Sequence, residues 1–273
     1  MLGVILCAAA ALLYAAIHYA AERFVYQPCR FPKGWWHTQA ELRARDVWLE
    51  TGDGLRIHAW RIDVPDAPVM TLYLHGNGDN ISVRPGHLRE IAAAGSSVLI
   101  LDYRGYGKSP GRPTERGLYR DAEAGYDYLI GAGFRAERIV LHGESLGSSV
   151  AVDLAARRPC AGIILECPIT SAGDMARQVV PVMGALFVWG YNARRKIAGV
   201  RAPILIIHGD DDRMVPYAMG RALFDAANEP KSFWTVHGAR HLNIVAVAGP
   251  RYGARLREFY ESLGLRDPRT ALT

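Results

Sequence analysis

The chain has 273 residues, half of them apolar and 22% charged, with a formal net charge of +5 at pH 7. This composition suits a globular core and excludes a disordered, low-complexity or short-repeat chain. The excess cations are scattered arginines, with no lysine-rich tail and no basic stripe interleaved with aromatics. No nucleic-acid partner is therefore expected, and an anionic membrane surface is preferred. The four cysteines (Cys7, Cys29, Cys160 and Cys167) show no C-x-x-C pairing; they read as buried or idle thiols, and no metal is predicted.

Residues 1–21 carry no Asp, Glu, Lys or Arg. As a helix they would span about 31 Å, close to the hydrocarbon thickness of a bilayer. A cleaved signal peptide fits less well, because His18 or Tyr19 occupies the −3 position at the late candidate cuts, where a small residue belongs. Residues 1–21 are thus expected to be an N-terminal transmembrane helix, a single-pass anchor in the cell or inner membrane. A juxtamembrane linker (22–45), a main domain (46–265) and a tail (266–273) follow. Arg23, Arg30 and Lys33 lie just after the apolar segment, so the positive-inside rule leans toward a cytoplasmic domain.

Asp46 to Thr51 and Leu55 to Ile62 read as two strands around Gly52-Asp53-Gly54, a hairpin signal. Six short apolar runs follow: Met70–Leu74, Val98–Leu101, Ile139–Leu141, Gly162–Leu165, Ile204–Ile207 and Ser232–Val236. Each suits a strand buried on both faces. Helices are predicted over 82–94, 114–132, 145–158, 216–227 and 245–263. The alternation implies an α/β fold: one mostly parallel eight-stranded sheet with helices on both faces and an antiparallel hairpin at its start. Ligands bind beyond the carboxyl ends of such strands.

Four loops at those ends carry chemistry. Gly143-Glu144-Ser145-Leu146-Gly147 lies between a predicted strand and helix. A nucleophile on so sharp a turn needs tiny neighbours at −2 and +2, and the helix start favours a developing negative charge. His75-Gly76-Asn77-Gly78 is a glycine-rich loop able to approach a substrate closely. The Asn77 and Leu146 N–H groups are the expected oxyanion donors. His208-Gly209-Asp210-Asp211-Asp212 offers the carboxylate that a base histidine needs, and chemistry alone leaves three aspartates open. His237-Gly238-Ala239-Arg240-His241 offers the base. His241, beyond the glycine, is freer to lean across the strand ends than His237, which continues the strand.

These loops, together with Asp102-Tyr103-Arg104-Gly105-Tyr106-Gly107-Lys108-Ser109 and the run from His208-Gly209 to Val215-Pro216, resemble the α/β-hydrolase superfamily. Within it the chain resembles a membrane-anchored branch near the serine aminopeptidase-like and depalmitoylase-like hydrolases. The resemblance runs from about Val47 to Leu263. It implies an α/β-hydrolase fold, Asp212 as the triad acid and His241 as the base, with no cofactor. It also departs from the family: Ser148 stands where a second glycine is common, and His241-Leu242-Asn243 replaces His-Asn-Asp.

The expected activity is a serine hydrolase with the triad Ser145, His241 and Asp212, acting on esters or thioesters of small-molecule, lipid-like or acylated substrates. An aminopeptidase-like amide hydrolase and a non-catalytic membrane-bound module are the alternatives. The insertion 168–200, with Val179, Val180, Val182, Met183, Leu186, Phe187, Val188 and Trp189, admits two readings: a small lid, or packing against the sheet. Oligomeric state does not follow from these residues.

Overall fold

The three-dimensional structure, a computed structural model, describes residues 7–9, 12–14, 16, 17, 19, 25–181 and 188–265. Among them, eight strands form one sheet: β1 (Arg45–Glu50), β2 (Arg56–Ile62), β3 (Val69–Leu74), β4 (Ser96–Leu101), β5 (Ile139–Glu144), β6 (Gly162–Glu166), β7 (Ile204–Gly209) and β8 (Lys231–Val236). Their spatial order is β8-β7-β6-β5-β3-β4-β2-β1. β2 runs antiparallel to both its neighbours, and every other pairing is parallel.

The apolar runs form strands because both faces of the sheet are covered. In β7, Ile204 and Ile206 pack into one apolar cluster and Leu205 and Ile207 into the other. In β5, Ile139 and Leu141 face one side and Val140 the other. This is the two-residue period of a strand between two layers. Helices α1 (Pro85–Ala93) and α8 (Pro250–Ser262) cover one face with Leu88, Ile91, Tyr252 and Leu256. Helices α2 (Glu115–Gly131), α3 (Leu146–Ala155) and α6 (Tyr217–Ala226) cover the other with Leu118, Val150 and Leu223.

The chain leaves β3 to form β4 on one side, then crosses to form β5 on the other. That reversal is a topological switch point, where the strand-end loops diverge and leave a crevice. The loops after β3 and β5 are the ones holding Asn77 and Ser145.

Several elements differ from expectation. The helix expected over 245–263 is two helices, α7 (Ile244–Ala248) and α8, separated at Gly249, whose φ is +56°. Pro250 then starts α8, where its missing N–H costs nothing. The helix expected from Ser82 begins at Pro85, after a 3₁₀ turn at Ile81–Val83 that Asn80 caps through the Ser82 N–H. The insertion contains α4 (Ala172–Val179) and α5 (Ala193–Lys196). Val182, Met183, Leu186 and Phe187 lie outside the described residues.

Most of the expected anchor and all of the tail also fall outside the described residues, and among those described no helix is long and apolar enough to cross a membrane. Residues 25–45 are stitched to the domain. Gln27–Pro28 pairs with Gly78–Asp79, Asn80 Nδ2 donates to the carbonyls of Cys29 and Lys33, and Thr38 Oγ1 donates to Ser82 O.

Gly125 lets α2 sit close on the sheet, since a Cβ there would lie 2.9 Å from Leu101 Cδ2 and 3.1 Å from Leu72 Cδ1. Gly125→Leu is expected to destabilise the protein by about 1–3 kcal/mol through overpacking, read as a lower urea midpoint.

Candidate active site

Ser145 sits between β5 and α3 at φ +53° and ψ −116°, a region that non-glycine residues rarely occupy. Such a conformation costs of order 1–3 kcal/mol and persists only where its surroundings over-determine it. Here both peptide groups of Ser145 are tied down. Its N–H donates to Glu166 O at the end of β6 (2.8 Å), and its carbonyl accepts from the Ser148 N–H (3.0 Å) and Ser148 Oγ (2.5 Å). Ser148, the departure from the family pattern, thus helps hold the turn.

The two elbow glycines are required by contact. A Cβ on Gly143 would run into Gly147 O, and one on Gly147 into Leu74 O. Both clashes are with backbone, which cannot step aside.

His241 Nε2 lies 3.0 Å from Ser145 Oγ, and His241 Nδ1 lies 2.7 Å from Asp212 Oδ2. The other oxygen, Asp212 Oδ1, accepts the Met214 and Val215 N–H groups, each at 2.9 Å. Burial alone would raise the Asp212 carboxyl, but hydrogen bonds from His208, His241 and the Val215 N–H outweigh it and hold it well below the usual carboxylate range.

The three consecutive aspartates have three different partners. Asp210 meets exposed His237 (2.7 Å) and the Gly238 N–H (2.6 Å), and Asp211 meets Arg240 (3.0 Å) and Arg213 (3.2 Å). Asp212 alone of the three reaches the imidazole beside the serine.

The loop after β3 comes up against the elbow, with a Cβ at Gly76 falling 3.4 Å from Ser145 Cβ. The carbonyl side of Asn77 is fully engaged: its O accepts Gln27 N–H (3.1 Å) and Tyr106 Oη (2.7 Å), and its Nδ2 donates to Val25 O (3.0 Å). Among the described residues, neither the Asn77 nor the Leu146 N–H has an internal acceptor. His75, beside this loop, is buried against Tyr103 and Tyr106, and burial pushes its imidazole down to about 4.

Behind the serine lies a charged layer that the sequence reading did not find. Glu144 Oε2 accepts from Arg84 Nε (2.7 Å) and Tyr73 Oη (2.8 Å). Glu166 meets His87 (2.9 Å) and Tyr252 Oη (2.5 Å). Burial works against both carboxylates, yet Arg84 brings Glu144 down to about 2, and His87 with His142 hold Glu166 below its usual range. Burial opposes the charged form of His87, and Glu166 raises it nonetheless. The sequence signal for this layer is that β5 and β6 end in Glu144 and Glu166, since a charge at the end of a fully buried strand must find a partner.

Residues 65–193 match the serine aminopeptidase family. A human α/β hydrolase domain-containing protein 17B is 32% identical over 230 residues, covering 82% of this chain and 78% of that protein. The chain belongs to the α/β-hydrolase superfamily. An uncharacterized protein of Mycobacterium tuberculosis is 39% identical over 203 residues, 72% of each chain. The structure of a Pyrococcus furiosus esterase superposes on this α/β hydrolase with a TM-score of 0.75 at 19% identity, covering 87% of this chain and 98% of the other.

Glu144 is depressed from 4.5 to about 2, so the stability it contributes is present above about pH 4.5 and lost as the pH falls toward 2. The urea midpoint is expected to drop across that window, and Glu144→Gln to flatten part of the drop. Arg84→Met, which strands a buried carboxylate, is expected to cost about 3–5 kcal/mol at pH 7.

Proposed function

We propose that this α/β hydrolase is a serine hydrolase that cleaves carboxylic esters or thioesters of lipid-like or acylated substrates. The observation that carries the reading is the imidazole of His241, which touches Ser145 Oγ with one nitrogen and Asp212 with the other. In the proposed reaction His241 Nε2 takes the hydroxyl proton as Ser145 Oγ attacks the acyl carbon. Asp212 keeps the Nδ1–H tautomer and stabilises the imidazolium. The Asn77 and Leu146 N–H groups receive the oxyanion, each donor worth roughly 3 kcal/mol. His241 then protonates the leaving group, and water releases the acyl-enzyme by the same path reversed.

Apolar substrates are favoured by the rim of the site. Met214, two residues past Asp212, is 54% exposed, and Leu242, next to His241, is 77% exposed. Val179, Val180 and Trp189 of the insertion are also exposed. Met214 and Leu242 follow β7 and β8, and Val179, Val180 and Trp189 follow β6, at the strand ends that hold Ser145. We read the insertion as a small lid whose base is fixed by Ala172 N–H to Gly190 O (3.0 Å), Arg194 N–H to Thr170 O (3.1 Å) and the buried Tyr26–Tyr191 hydroxyl pair (2.7 Å). The uncharged segment 1–21 is proposed as a membrane anchor that keeps this rim near lipid.

A second reading, amide hydrolysis, is favoured by the match to the serine aminopeptidase family. Turnover of p-nitrophenyl esters of increasing chain length, set against aminoacyl amides, separates the two. Esters of medium or long chains are expected to win, and a clear amide preference would remove the lipid reading. Ser145→Ala is expected to lower turnover roughly 10⁴- to 10⁶-fold with an unchanged urea midpoint. A fluorophosphonate probe should label the wild type and not this variant; an unlabelled wild type would point to a non-catalytic module.

A further inference from the structure

Cys167 has no role in the acyl transfer proposed above, yet it lies beside the two groups that make Ser145 reactive. It follows β6 directly at φ +44°, a conformation side-chain-bearing residues rarely adopt. Its N–H donates to Ile207 O (2.8 Å), which holds it against the end of β7. The Cys167 Sγ, a carboxylate oxygen of Asp212 and a ring nitrogen of His241 lie within 4.8 Å of one another, and all three residues are buried. Among the described residues no other set of three or more Cys, His, Asp or Glu has this spacing.

A thiolate, an imidazole and a carboxylate are the donors that zinc takes, at about 2.3, 2.0–2.1 and 2.0–2.2 Å. Tetrahedral angles at those lengths set the donor atoms about 3.3–3.6 Å apart, so shifts of about 1 Å bring the three onto one ion. The strand ends that carry Cys167 and Asp212 are neighbours in the sheet, and two donors are thereby preorganised before any ion arrives.

We propose that Cys167, Asp212 and His241 form an inhibitory site for a thiophilic divalent cation of the zinc class. Its effect on turnover rests on the triad reading given above; its binding does not. Bonds form from the cation to Cys167 Sγ, to an Asp212 oxygen and to His241 Nδ1, with water completing the shell. The thiol proton leaves to solvent. The imidazole keeps its single proton but carries it on Nε2, because Nδ1 is now bonded to the metal. Nε2 then presents an N–H to Ser145 Oγ where a lone pair is needed, and the hydroxyl cannot be deprotonated. The cation thus stops the reaction through the tautomer of the base. Hard cations such as Mg²⁺ prefer oxygen donors and are not expected to act here.

The test uses the full chain. Zn²⁺ is expected to lower p-nitrophenyl ester turnover at least tenfold, with recovery on adding EDTA and no effect of Mg²⁺. Cys167→Ser is expected to keep its basal turnover and to require about tenfold more Zn²⁺ for the same inhibition, because the softest donor is gone. Binding is read separately with Co²⁺, whose sulfur-to-metal charge-transfer band in the near ultraviolet should appear in wild type and in Ser145→Ala and be lost in Cys167→Ser. A wild type without that band, or one whose Zn²⁺ sensitivity equals that of Cys167→Ser, overturns the proposal. A Co²⁺ band in a protein that turns over no ester would keep the metal site and sink the hydrolase reading instead.

Discussion

The backbone of Ser145, turned to a positive φ between β5 and α3, is the constraint on which the rest of the site depends. It sets the hydroxyl 3.0 Å from His241 Nε2 and lets α3 start at the next residue. The turn is possible only with hydrogen at the Cβ positions of Gly143 and Gly147, because the chain folds back until those positions touch backbone oxygens. Its unfavourable energy is offset locally, since Glu166 O and the Ser148 N–H and hydroxyl satisfy both sides of the strained peptide. The central sheet is therefore part of the site: β6 supplies the acceptor that holds Ser145 in place.

Charge is arranged around that turn in two layers. In front, the imidazole of His241 joins Ser145 to an Asp212 carboxylate that is kept ionised by His208, His241 and the Val215 N–H. Behind, Arg84 and His87 neutralise Glu144 and Glu166. Arg84 precedes α1 and follows the loop that carries Asn77, so its ion pair with Glu144 also ties the two loops bearing the Asn77 and Leu146 N–H groups. Burying such pairs contributes little net stability, whereas removing one member leaves an uncompensated charge. The arrangement trades stability at low pH for a fixed geometry around the serine.

Much of the fold was legible because local chemistry demanded it. Strands covered on both faces read as unbroken apolar runs, and each run expected from sequence lies in a strand of the sheet. The amphipathic period runs on both sides of Gly249-Pro250 and masks the break there, which the positive φ of Gly249 makes between α7 and α8. Residues 25–45 lack the apolar periodicity of a packed element, and nothing local announces that Gln27–Pro28 pairs with Gly78–Asp79.

At the site, local sequence is enough to mark the loops: glycines around Ser145, glycines around Asn77, and histidines and aspartates after the last two strands. These are turn requirements, and turn requirements are written in neighbouring residues. Which carboxylate meets which imidazole is set by how the strands are assembled. Asp210, Asp211 and Asp212 are chemically identical and adjacent, and they part toward His237, Arg240 and His241 because β7 and β8 run in parallel register and deliver their loops side by side. The same holds for Glu144 with Arg84 and for Cys167 with Asp212. Each pair is far apart in the chain, and contact between its members depends on the order in which the strands are laid down in the sheet.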